Sequence, residues 1–120
     1  MPSPAALTIY AFGITALLAG VSSLIDPASS VSQLNIPLAC TPAARGNALA
    51  AIGMGLYYTL AAYQENTVFF AATVPMRLLT TVVFFSQAWT VPAVWEGAGA
   101  AATGVALLMQ ARMSGKSKTG

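Results

Sequence analysis

Long apolar stretches broken by short polar punctuation set the pattern of this chain. A helix needs about 20 mostly apolar residues to cross about 30 Å of hydrocarbon. Four segments qualify, over residues 4–25, 42–63, 68–89 and 92–112. Their continuous, Ala-rich character fits helices, not the alternating segments of a membrane barrel. Ser3 reads as the cap of the first span with Pro4 in its first turn, and Asp26-Pro27 ends it, because a residue before proline resists helical geometry. Thr41 and Pro42 open the second span, and Gln64-Glu65-Asn66 closes it. Asn66 or Thr67 caps the third, and Pro92 lies in the first turn of the fourth. The links after the second and third spans are short, with the later one at Trp89-Thr90-Val91, which predicts antiparallel neighbours. The predicted fold is all-α: an integral membrane, four-transmembrane-helix up-down bundle forming one domain over 1–112, followed by a frayed, basic polar tail over 113–120. The long first link starts with a cap and a first-turn proline, so 28–34 reads as a short interfacial helix ended by Asn35-Ile36-Pro37.

Composition narrows the setting. Of 120 residues, 57% are hydrophobic and 7% charged, against roughly 25% charged in a soluble domain, so most of the surface is expected to face lipid. The scarcity of Lys and Arg argues against nucleic acid as a partner. There is no histidine and a single cysteine, Cys40, so no metal or cofactor constellation is expected and no internal disulfide can form. Arg112, Lys116 and Lys118 follow the last span, and positive charge marks the cytosolic side, so both termini are expected there, with Arg45 as the opposing charge. In a eukaryote the endoplasmic reticulum is the expected membrane. Val21-Ser22-Ser23 also offers small residues of the kind found at signal-peptide cleavage sites, which keeps removal of the first span open.

Helices in lipid associate through small residues and a few polar contacts. Gly13, Ala16 and Gly20 share one face of the first span, Gly46, Ala50 and Gly53 one face of the second, and Gly97, Ala101 and Gly104 one face of the fourth. Such seams serve packing within one chain or between two copies.

An ionisable residue inside a span is a functional-site candidate. Arg77 falls near the midplane and Glu96 nearer the outer edge, about 10 Å apart in depth by helical rise, which makes a direct ion pair strained and points to other partners. Tyr57, Tyr58, Thr15 and Thr103 fall at the level of Arg77. Arg45, Asn47, Ser22 and Ser23 fall at that of Glu96, with Asp26 and Gln87 nearer the rim. Thr80 or Thr81, with Gln87, carries a polar stripe along the third span. The layers suggest a cavity open to the outer side, with Pro75 freeing a backbone carbonyl beside it. Two chemistries are open for Arg77 and Glu96: a folding staple, or a pocket in which Arg77 holds an acidic or enol oxygen while Glu96, assisted by Tyr57 or Tyr58, moves a proton.

The stretches Leu24-Ile25-Asp26-Pro27, Leu34-Asn35-Ile36-Pro37-Leu38 and the Gly/Ala-rich run opened by Arg45-Gly46-Asn47 and extending to Gly55 resemble small four-span membrane proteins of the DoxX-like kind. That resemblance implies a four-helix membrane fold and, in fungi, a setting in secondary-metabolite gene clusters. It brings no catalytic residues with it. The expected function is therefore an accessory or interaction protein supporting a biosynthetic pathway. Its partners would be the bilayer, a lipophilic small molecule, and a second copy or another membrane protein. The alternatives are a cofactor-independent isomerase or cyclase, or a transporter of protons or small solutes.

Overall fold

A computed structural model describes residues 2–119, with side chains through 115. Among them the chain is all-α, with helices α1 (Pro4–Ile25), α2 (Pro27–Gln33), α3 (Thr41–Tyr63), α4 (Thr67–Ser86) and α5 (Thr90–Thr119), and a single 3-10 turn, Leu38–Cys40, leading into α3. Three helices are long and apolar enough to cross a membrane: α1, α4 and the Thr90–Gly115 part of α5. The 23-residue α3 has the length, but Arg45, Asn47 and its tyrosines dilute its apolar content. Beyond residue 112 the expected frayed tail is instead a continuation of α5, consistent with the good helix formers Met113, Lys116 and Lys118. The side chains of Lys116 and Lys118 lie outside the described residues.

Helix starts follow local chemistry. Ser3 Oγ accepts from Ala6 N (3.1 Å), Asp26 from Ser29 N (3.3 Å) and Asn66 from Phe69 N (3.0 Å), which satisfies donors that a first turn leaves open. Thr41 differs from expectation. It already lies inside α3, and its hydroxyl donates back to Leu38 O (2.6 Å), because the 3-10 turn feeds directly into the helix.

Three helix ends share one device. Asn35 (φ 56°), Glu65 (φ 51°) and Ala88 (φ 63°) adopt the left-handed conformation. Each donates to the carbonyl three residues back, and the next residue donates to the carbonyl five back: Asn35 to Ser32 and Ile36 to Val31, Glu65 to Ala62 and Asn66 to Ala61, Ala88 to Phe85 and Trp89 to Phe84. This closes the last turn of α2, α3 and α4. At α4 the apolar contact that accompanies such a cap is the Phe84–Trp89 ring pair, 5.4 Å between centroids. The cap stops α4 at Ser86, earlier than the expected residue 89, and moves the link to Gln87–Trp89. Pro75 lies within α4, which is assigned as one helix through it.

The chain divides into two compact units. One comprises residues up to 10 and from 61 onward; the other, residues 11–60. In the first, α4 and α5 form an antiparallel hairpin, with Gly97 against Thr81 and Gly104 near Val74. In the second, the α1 and α3 segments pack antiparallel through glycine. A Cβ on Gly20 would lie 2.7 Å from Ala48 O, and one on Gly55 would lie 2.6 Å from Gly13 O. The small-residue seam was legible for Gly13 and Gly20, but on α3 it runs through Ala48 and Gly55. Gly46 faces open space and Gly53 meets only Tyr57 of its own helix.

Candidate functional site: a buried polar ladder

Among the described residues, four buried polar side chains, Thr73, Arg77, Glu96 and Thr103, stand out against a core of Ala, Phe, Ile, Val and Tyr58. Arg77 is 2% exposed and Glu96 4%. Arg77 Nε lies 3.7 Å from Glu96 Oε2, an ion pair longer than a hydrogen bond. Arg77 Nη1 donates to Thr103 Oγ1 at 3.3 Å. The direct pair corrects the expectation of a strained reach. With α4 ending at Ser86 and α5 starting at Thr90, Arg77 and Glu96 lie about 13 and 9 Å from the link, so the gap in depth shrinks to under about 5 Å.

The ladder continues into the first turns of α1. Thr103 and Thr8 hydroxyls are 2.8 Å apart, and Thr8 Oγ1 donates to Ala5 O at 2.7 Å. A hydroxyl has one hydrogen, so with that of Thr8 on Ala5 O, Thr103 donates to Thr8 while accepting from Arg77. Ala5 N in turn donates to Gln110 Oε1 at 2.8 Å. On α5 the polar members Glu96, Thr103 and Gln110 recur every seven residues, with the buried Ala93, Ala100 and Ala106 three or four residues before each. A seven-residue interval returns to nearly the same helix face, so α5 presents one stripe of alternating small and polar groups. That interval was the available signal for Gln110, which sequence reasoning missed. Thr8 was missed because depth counted from helix ends selected Thr15, whose hydroxyl is directed to Ala11 O and Phe12 O of its own helix.

The other candidates separate. Thr81 is half-buried against Gly97 and donates to Arg77 O (2.8 Å), while Gln87 is exposed at the end of α4. Arg45, Asn47, Tyr57 and Tyr58 belong to the other unit. Arg45 and Asn47 are exposed, Tyr57 is 69% exposed, and Tyr58 is buried against Phe12 with ring centroids 5.1 Å apart. Ser22, Ser23 and Asp26 also lie in that unit, where they line a polar notch with α2.

A second polar contact anchors the start of α1 at the α3–α4 turn. Glu65 accepts from Ser3 N (2.8 Å) and from Ser3 Oγ (2.6 Å). The Ser3 hydroxyl, and after it the Ser3 N–H, holds the Glu65 carboxyl below its ordinary value. Comparison with protein-family models, with curated proteins and with solved structures found no match.

Proposed function

We propose that the chain is a small multi-pass membrane protein of four antiparallel spans, with α3 as the least apolar of them and both ends cytosolic, acting as an accessory or interaction component of a biosynthetic membrane. One observation carries this reading: the polarity of the fold is inverted relative to a protein in water. Arg77 and Glu96 are buried, whereas Leu18 (64%), Val82 (67%) and Leu108 (67%) are exposed. Exposed apolar area of that extent marks a surface that meets lipid or a partner. The staple reading of Arg77 and Glu96 is supported over the acid–base reading because Arg77 engages both Glu96 and Thr103, while Tyr57 is mostly exposed.

The single cysteine supplies the test. Cys40 lies in the 3-10 turn before α3, partly exposed, on the side opposite the termini in the four-span topology. Membranes bearing the full chain should retain it after alkaline carbonate extraction, and a membrane-impermeant maleimide should label Cys40 from the non-cytosolic face only. Release by carbonate, or labelling from the cytosolic face, would overturn the reading. Metabolite profiling of a strain lacking the gene then names the pathway supported: an accumulating precursor is the expected result, and an unchanged profile counts against the accessory role.

A further inference from the structure

The helices α4 and α5 bring different things to a bilayer. Insertion is driven by large apolar side chains such as Leu, Ile, Phe and Val. α4 has four phenylalanines and two leucines in its 20 residues. α5 is the least apolar of the three helices that qualify as spans. Eight of the ten residues from 97 to 106 are Gly or Ala, and Glu96 precedes them. By its own composition α5 has little to offset its acid.

Each helix carries one group that opposes insertion, and each group finds its counter-charge on the other helix. A single Arg or Glu in hydrocarbon is costly, and such residues turn inward and pair. Arg77 and Glu96 are almost fully buried, with Nε and Oε2 3.7 Å apart. Gly97, next to Glu96, faces Thr81, and a Cβ there would lie 3.2 Å from Thr81 Cγ2. The missing side chain keeps the two backbones close at the level where the charges meet.

Only Gln87–Trp89 separates the two helices, so both charges belong to one hairpin. Their pairing needs no residue of α1 or α3. The Thr8–Thr103 and Ala5–Gln110 bonds differ in this respect, because they join α5 to α1 and serve the assembled fold. Two helices released into lipid one at a time would each carry an unpaired charge, whereas a hairpin carries a pair. We propose that α4 and α5 enter the bilayer together, with Arg77 and Glu96 paired before either helix meets lipid, so that the apolar surplus of α4 carries α5 across.

The inference rests on the membrane reading proposed above, and the test separates the two. The full chain, extended at its C-terminus by a glycosylation acceptor, is translated into sealed microsomes. The sequence brings no acceptor of its own, since Asn35, Asn47 and Asn66 have no Ser or Thr two residues on. If α5 is left out, the extension is translocated and glycosylated. If the whole hairpin is left out, Gln87→Cys in a Cys40→Ser chain is labelled from outside by an impermeant maleimide. Both fractions should be small for the wild-type hairpin. Arg77→Glu and Glu96→Arg should each raise their sum at least threefold, and the two together, which restore opposite charges, should return it close to the wild-type value. Thr103→Val weakens the folded ladder but leaves both charges, so it should insert like wild type. A single reversal that inserts normally, or an exchange that inserts no better than the single reversals, defeats the proposal. So does misinsertion of Thr103→Val to the same extent, because insertion would then follow the stability of the finished fold. A wild-type chain that carbonate releases, or whose link is labelled from outside, fails the membrane reading itself; an embedded chain indifferent to the reversals fails only this inference.

Discussion

Where α1 meets α3, glycine lets main chain touch main chain; where α4 meets α5, an arginine reaches a carboxylate and a hydroxyl across the gap. The first pairing is held by the absence of side chains at Gly13, Gly20 and Gly55, the second by polar groups at Arg77, Glu96 and Thr103. Both solve the same problem. On the membrane reading proposed above, helices surrounded by lipid gain little from burying apolar area against each other, so they associate by close contact or by polar contact. The two solutions fail differently. A seam of small residues is sensitive to added volume, whereas a polar ladder is sensitive to loss of one partner.

That contrast can be broken first at Arg77. Arg77→Leu strands Glu96 in the interior and should lower stability by about 3–5 kcal/mol, measured by thermal or denaturant unfolding in detergent micelles. Replacing both residues by Leu should recover most of the loss, which distinguishes a stranded charge from lost packing. At the seam, Gly55→Ala drives a methyl to 2.6 Å from a backbone oxygen and should cost about 1–3 kcal/mol or more. The control is Gly46→Ala, which meets open space and should leave unfolding unchanged or slightly improved. Thr103→Val removes the hydroxyl that joins Arg77 to Thr8 and should cost about 0.6 kcal/mol and at most about 1.7, the average and upper value for single hydrogen bonds between membrane helices.

The smallest effect belongs to the exposed Ser3–Glu65 contact, and it is a pH effect. Its folded carboxyl titrates below the ordinary 4.5, so its contribution is complete above that pH and disappears as the pH falls through the lower folded value. The melting difference between wild type and Glu65→Ala should therefore be constant near neutrality and vanish in strong acid. A difference that grows on acidification would contradict the contact.

Much of the helical layout was legible because uninterrupted apolar runs of membrane length have few alternatives. Asp26 and Asn66 announced their caps through side-chain chemistry, and Arg77 announced itself as a costly group inside an apolar run. The end of α4 was not legible. Its left-handed cap falls on Ala88, and without a glycine there nothing in the residue types marks the turn. That three-residue difference decided the main chemical question, since it brings Arg77 and Glu96 to nearly one level. Thr8 stayed hidden for a related reason. Counting depth from helix ends assumes that the ends are level, and in this chain the hydroxyl chosen was two turns from the one used.

The Ala5–Gln110 bond has a consequence for the order of assembly. The N–H of Ala5 is capped by a side chain 105 residues later. At ordinary rates of synthesis that interval is about 5–20 seconds. For that time the opening turn of the first helix waits beside the ribosome with a donor that its own sequence does not cap. Until α5 has been made, water or another group has to supply the missing acceptor, so the last helix of the chain completes the first.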